Sequence, residues 1–295
     1  MSALYVVATP IGNLEDFSPR AIKTLQEADL ILAEDTRVTV KLLNAFAIKT
    51  PLESYHQHNE FQKAHQVIER MQQENLKVAL VTDAGTPAVS DPGARVVSMA
   101  HAAGIQVIAI PGPSAFVSAL SKSGFEHTEF AFQGFLPRKK NELKDKLLSL
   151  QGGAPLAVLY ESPHRVVSLL QAIAEVFPGA QLSVSRELSK LHEQTLNGTV
   201  EQILQTFNDN EGLLRGEFVL VLEIPKADKA DETSESSLSP EAHLVDLMLK
   251  GRSLRDAKAE LLTRGFRKNA VYVAGLNLSR LAYNLLDKGE EEASN

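Results

Sequence analysis

The sequence predicts two consecutive α/β domains followed by a small helical one. Three observations predict it. At 295 residues the chain is too long for one ordinary core. Before Gly124, short apolar runs alternate with amphipathic helical patterns, which implies a parallel sheet covered on both faces. Beyond Gly124 the strand candidates fall closer together, and an apolar-poor stretch rich in Ser and acids, Lys226–Ser239, separates them from three short helical patterns. The expected organisation is an N-terminal α/β domain over 1–122, a second over 123–225, a linker over 226–239 and a basic helical bundle over 240–288.

Each element has a local reason. Leu4–Thr9, Leu30–Ala33, Lys77–Thr82 and Gln106–Ile110 are short apolar strands. Ser18-Pro19 supplies an N-cap and a first-turn proline for a helix through Ala28. Val38–Phe46, Asn59–Gln73 and Gly93–Ala103 follow as helices, the last closed by Gly104, and Ser114 is expected to cap the next. In the second domain the strands are Phe130–Phe135, Leu156–Tyr160, Gln181–Ser185, Gln194–Thr199 and Glu217–Ile224. Helices fit Glu142–Leu150, Arg165–Phe177 and Val200–Phe207. At the C-terminus Ser239-Pro240 opens a helix ending at Gly251, Ser253 with Asp256 forms a capping box for a second, and Asn269–Leu286 makes a third. The tail Gly289–Asn295 is expected to be disordered.

Composition removes several function classes. With no cysteine, disulfides, thiolate metal sites and a cysteine nucleophile are excluded. No apolar run approaches the roughly 20 residues of a membrane helix, and the N-terminus has no basic region before its apolar run, so a cytoplasmic protein without a membrane partner is expected. The net charge of −7 argues against a polyanionic partner, but the charge is uneven. Between Gly251 and Lys288 stand Arg252, Arg255, Lys258, Arg264, Arg267, Lys268, Arg280 and Lys288 against Asp256, Glu260 and Asp287, a local excess of five positive charges.

The chemistry is expected at one sheet edge. Ligands of open α/β sheets bind beyond the carboxyl ends of the strands. The loops there are Pro10-Ile11-Gly12-Asn13-Leu14, the run from Asp83 to Gly93, and Pro111-Gly112-Pro113-Ser114-Ala115. Any one could be a tight turn; three at one edge suggest a cofactor cleft, with small residues admitting a ligand to the backbone. Neither G-x-G-x-x-G nor G-x-x-x-x-G-K-[ST] is present, so a cofactor without a pyrophosphate fits, and S-adenosylmethionine is one. His56-x-His58 is the nearest approach to a metal site and lacks a third ligand, so no metal is expected.

Thr9-Pro10-Ile11-Gly12-Asn13-Leu14, Glu34-Asp35-Thr36-Arg37, the Asp83–Gly93 loop, Pro111-Gly112-Pro113-Ser114-Ala115 and Glu161-Ser162-Pro163-His164-Arg165, in that order, resemble the signature segments of tetrapyrrole methylase-like enzymes. Within them the chain resembles the branch that methylates the ribose 2′-oxygen of a decoding-centre cytidine in 16S rRNA. The likeness runs from about Leu4 to Ile224, and the C-terminal bundle resembles that branch's helix-turn-helix extension. The resemblance implies S-adenosylmethionine held between the two domains, 16S rRNA as partner within the small ribosomal subunit, and a homodimer. The residues it implicates are Pro10, Asp83, Gly85, Thr86, Val89, Ser114, Ala115, Tyr160 on the adenine side, and Pro225, whose backbone would close the adenine pocket. The wider class carries G-D-P where this chain has Gly85-Thr86-Pro87, so the role of that acid does not pass to Thr86; Asp83 or Asp91 would hold the methionine amino group, unless Asp91 is a helix N-cap.

Methyl transfer to a hydroxyl needs alignment and a proton acceptor. Glu34, Asp35, Glu161 and Glu187 stand at strand ends, with Arg37, Arg165 and Arg186 near them to meet phosphates. Each acid–base pair is equally readable as a salt bridge. Glu34, Asp35 and Arg37 are preferred as catalytic because they crowd one turn. Arg138-Lys139-Lys140 and the C-terminal bundle could track a phosphate backbone, although the chain has no Trp and only 6% aromatic residues, so no stacking platform is evident. Two rivals stand beside this reading: a methyltransferase acting on a tetrapyrrole (corrin precursor) or of the diphthine type, and a non-catalytic RNA-binding assembly factor.

Overall fold

The computed structural model describes residues 2–126, 128–225, 239–266, 268 and 270–279. The 226–238 part of the expected linker, the end of the third C-terminal helix, Arg267, Arg280, Asp287, Lys288 and the tail Gly289–Asn295 lie outside the described residues.

The first unit runs β1 (Ala3–Val7), α1 (Pro19–Glu27), β2 (Leu30–Ala33), α2 (Thr36–Ala45), β3 (Leu52–Ser54), α3 (Glu60–Glu74), β4 (Lys77–Val81), α4 (Ala94–Ala102), β5 (Gln106–Ile110) and α5 (Ala115–Lys122). Its strands are all parallel, in the order β3-β2-β4-β1-β5. Alternation along each strand fills two cores. Leu4, Leu32 and Leu80 face Val67 and Met71 of α3 and Val96 of α4, whereas Val7, Ile31 and Val81 face Leu25 of α1 and Leu43 of α2. Ser18 caps α1 by accepting the Ala21 N–H, with Pro19 in the first turn. Strand β3 is an addition to the sequence reading; its three residues pair with β2.

The second unit runs β6 (Phe130–Phe135), α6 (Lys140–Leu148), β7 (Leu156–Glu161), α7 (Val166–Val176), β8 (Gln181–Arg186), β9 (Gln194–Thr199), α8 (Val200–Asp209) and β10 (Phe218–Glu223). The strand order is β6-β7-β10-β8-β9, with only β6 and β7 parallel. Helices α6, α7 and α8 cover one face. The other face packs Val158, Val219 and Val221 against Ala119 of α5, with Phe116 and Leu120 beside it. Helix α5 thus joins the units: it follows the first sheet in sequence and buries its apolar side on the second.

At the C-terminus α9 (Pro240–Leu249), α10 (Leu254–Thr263) and helical residues 270–279 enclose a small core of Leu244, Leu247, Leu261 and Val271. Tyr272 packs against the second domain's core, and its hydroxyl donates to Asp145 of α6. Two expected caps differ. The Ser114 hydroxyl accepts no helix N–H, although Ser114 is the N-cap of α5. Ser253 accepts the Asp256 N–H, but its own hydroxyl donates to the Asp256 carboxylate at 2.7 Å, so the reciprocal half of a capping box is missing.

Candidate active site

The carboxyl ends of β1, β2, β4 and β5 face the end of β7 and the start of β10 across a cleft of about 450 Å³. Because β10 runs antiparallel to β7, its first residues reach the same edge as β7's last.

The first wall is acidic and comes from the first domain: Glu34, Asp83 and Asp91. The Thr82 hydroxyl, buried, donates to Glu34 Oε2 at 2.7 Å, and Asp91 competes for the same hydroxyl. Burial, with the nearby Glu34 charge, pushes the Asp91 carboxyl up. Burial also raises Asp83, although it accepts the Asp35 N–H at 3.1 Å. Asp91 is not a helix N-cap; Gly93 fills that position for α4. The opposite wall is apolar: Phe116, Phe135, Tyr160, Leu188 and Val219. Tyr160 meets Phe132 and Phe135 edge-on at 5.1 and 5.7 Å, and burial raises its phenol.

The loop after β4 is held firmly. Thr9 and Gly85 exchange backbone bonds at 2.9 and 3.1 Å, and the Thr9 hydroxyl donates to the Thr82 carbonyl. Ala88 sits at φ +64, an uncommon conformation for a residue with a side chain, so the surrounding structure must impose it. Gly93 lies so close to Leu80 that a Cβ there would stand 2.7 Å from the Leu80 Cδ2 atom.

Of the residues expected to hold a cofactor, Asp83, Gly85, Thr86, Val89, Ser114, Ala115 and Tyr160 line this cleft. Pro10 and Pro225 do not line it; Ile11 does, beside Pro10. Of the expected catalytic group only Glu34 lines it. Asp35 is the N-cap of α2, accepting the Arg37 N–H at 2.8 Å and gripping the Arg37 guanidinium at 2.6 Å, and that pairing lowers its carboxyl to about 2. Those two side chains form the salt bridge that the sequence left as the alternative.

The other acids differ in the same way. Glu187, at φ +50, accepts from Lys190 at 2.9 Å and from the Glu217 N–H at 3.2 Å, so it is tied into structure. Glu161 lines the cleft but is fully buried, accepting the Ser162 N–H at 2.8 Å with Arg165 at 3.3 Å from its other oxygen. Sequence reasoning missed Phe116, Phe135, Leu188 and the Glu217–Val219 segment. Among the described residues no group of three or more His, Cys, Asp or Glu could hold a metal. No helix among them is long and apolar enough to cross a membrane.

Residues 3–204 match the family model for Tetrapyrrole (Corrin/Porphyrin) Methylases. The chain is 40% identical over 277 residues to the ribosomal RNA small subunit methyltransferase I of Bacillus subtilis, covering 93% of this chain and 94% of the relative. It is 43% identical to that of Synechocystis, covering 88% and 92%. The chain belongs to the ribosomal RNA small subunit methyltransferase I family. Solved structures show the fold that this family shares with other methylases. Diphthine synthase aligns with a TM-score of 0.57 at 15% identity, covering 75% of this chain and 89% of that one. Uroporphyrin-III C-methyltransferase from Thermus thermophilus aligns at 0.52 and 22%, covering 75% and 94%. At those identities the pigment and diphthine enzymes speak only for architecture. The Bacillus subtilis and Synechocystis relatives match over most of the chain's length.

Proposed function

We propose that this chain transfers the methyl group of S-adenosylmethionine to the ribose 2′-oxygen of a cytidine in the 16S rRNA of the small ribosomal subunit. The observation that carries the reading is an acid-walled cleft between two α/β domains in a chain about 40% identical, over 93% of its length, to a ribosomal RNA small subunit methyltransferase I.

The lining fits the cofactor. S-adenosylmethionine supplies, when bound, a methyl group activated by a sulfonium. Its ammonium and sulfonium charges suit the wall of Glu34, Asp83 and Asp91, and a nearby cation would relieve the raised carboxyls of Asp83 and Asp91. An adenine suits the Phe116, Phe135 and Tyr160 wall. Gly85, Thr86, Val89, Ser114 and Ala115 present small surfaces and backbone groups along the floor. In this reading Asp83 and Asp91 hold the ammonium. Glu34, fixed by Thr82, accepts the ribose proton, and the Asp35–Arg37 pair holds the turn that aims it.

The same reading makes the protein a cytoplasmic homodimer working on the ribosomal subunit. Leu191 is 92% exposed, on the loop that Ser189 ties to Asp16, and an apolar side chain so exposed suits contact with a second copy. Light scattering of the purified protein at twice the chain mass is expected. Incubating small subunits with labelled S-adenosylmethionine and analysing the nucleosides tests the activity. Label in 2′-O-methylcytidine is expected; label elsewhere, or none, overturns it.

A further inference from the structure

A second concavity of about 600 Å³ adjoins the first and shares Ser90 and Asp91 with it. It lies between the starts of α3 and α4 and is bordered by Gln57, Glu60, Arg95 and Met99. Arg95 rests on Phe61, its guanidinium carbon 4.9 Å from the ring centroid, and its contact with Glu60 is a loose 3.9 Å. Phe61 is 63% exposed and meets His65 edge-on at 5.3 Å. An exposed phenylalanine on the surface of a chain with few aromatics, overlaid by a planar cation, is a stacking surface.

We propose that this groove receives the base of a nucleotide flanking the methylated one. The inference rests on the proposed RNA methylation. Continuity places it: the groove begins on the other side of the Ser90–Asp91 wall, within reach of a strand whose target ribose lies in the cleft at Glu34. Charge selects the base rather than the phosphate. Glu60 would repel a phosphate, whereas it accepts a hydrogen bond from the exocyclic amine of cytosine, adenine or guanine. Gln57 offers both a donor and an acceptor to the base edge. Arg95 and Met99 supply the surface on which the ring lies, with Phe61 backing Arg95.

The test is methyl transfer to purified small subunits by Arg95→Ala, Phe61→Ala and Arg95→Lys, with cofactor affinity measured by calorimetry. Both alanine variants are expected to raise the KM for subunits roughly tenfold, within the range that base stacking supplies. Their kcat should stay within about twofold of wild type, since neither side chain reaches the reacting atoms, and cofactor affinity should be unchanged. Arg95→Lys keeps the charge but loses the plane, so its KM should rise as well. A wild-type KM in both alanine variants overturns the proposal. Full rescue by lysine overturns it too, because that would make Arg95 a phosphate contact. A change of oligomeric mass in either variant would make the groove an interface between copies and end the proposal. Absence of transfer by the wild-type protein itself would instead sink the underlying RNA reading.

Discussion

Replacing Thr82 with valine removes one hydroxyl and little else. That hydroxyl is buried and donates to Glu34 at 2.7 Å, while Asp91 competes for it. A hydrogen bond to a charged group contributes about 1.5–3 kcal/mol net. The methyl that replaces it returns about 0.8 kcal/mol of burial. The difference, about 1–2 kcal/mol, is lost partly from stability and partly from the fixed position of Glu34. If all of it were lost from the transition state, kcat would fall about 5- to 30-fold. A second effect has a defined sign. Asp91, already raised by burial and by the Glu34 charge, loses a donor that holds it down, so its carboxyl rises further. Less of it is ionised at a given acid pH, and cofactor binding should weaken at a higher pH than in wild type. The assay is single-turnover methyl transfer and calorimetric cofactor binding from pH 5 to 9, with circular dichroism to show the fold. A folded Thr82→Val protein with wild-type kcat and an unmoved acid limb would refute the assignment of Thr82 as the organiser of the acid wall.

Three further outcomes are expected. Gly93→Ala places a Cβ 2.7 Å from the buried Leu80 side chain, and the loop must move; denaturant unfolding should show about 1–3 kcal/mol of lost stability, together with weaker cofactor binding, and wild-type values for both would remove Gly93 from the argument. In the wild-type protein cofactor affinity should fall as pH drops, beginning above the ordinary carboxylate range of about 4, because Asp83 and Asp91 are both raised and must be ionised to hold an ammonium; an affinity that stays flat down to pH 4 would remove them from that role. Deleting the chain from Ser239 onward should weaken binding to small subunits and leave cofactor affinity intact, since the cleft takes no residue from α9 or α10; equal subunit affinity would show that the C-terminal helices do not dock the substrate.

What the sequence made legible was what local chemistry encodes. Ser18-Pro19 and Ser239-Pro240 start helices in the structure as a hydroxyl cap and a first-turn proline require. The apolar runs of β4 and β10 mark strands because both of their faces are buried. Strand β3 left no such mark: Leu-Glu-Ser is too short to show a period, and its pairing with β2 is decided by the sheet. Ser114 looked like a cap by type, but a hydroxyl caps only if its rotamer turns toward the helix, and nothing local fixes that. The site divides along the same line. The small-residue loops after β1, β4 and β5 were visible because glycine and proline cluster there. Of the apolar wall only Tyr160 was, because Phe116 reads as a helix residue and Phe218-Val219 as a strand start. Only the antiparallel placement of β10 beside β7 brings Phe218 and Val219 to the cleft. The Glu34-Asp35-Thr36-Arg37 turn shows the limit of reading by residue type. Three functional side chains in four residues looked catalytic together, yet two of them close a helix cap on each other and only Glu34 reaches the cavity.

How wide the cleft stands depends on what joins the two domains, and the contacts there are of two kinds. Helix α5 buries Ala119, Phe116 and Leu120 on the second sheet, an apolar contact that salt does not weaken. On the far side the 187–193 loop reaches back to the first domain. Ser189 donates to Asp16, Glu193 pairs with Lys122, and the Lys190 stem lies over Gly12, where any Cβ would collide with it. Lys190 is fixed in turn by Glu187 at 2.9 Å and Glu217 at 3.1 Å. Partly exposed ion pairs of this kind each contribute about 0–1 kcal/mol. They cannot hold the domains together alone, but they can set the angle at which α5 lets them meet. Glu187 and Ser189 both adopt positive φ to build this loop, at a backbone cost that the loop's own contacts must offset. That cost is intelligible if the loop's task is to fix the distance between the acid wall of one domain and the aromatic wall of the other, for a methyl transfer tolerates little misalignment between donor and nucleophile.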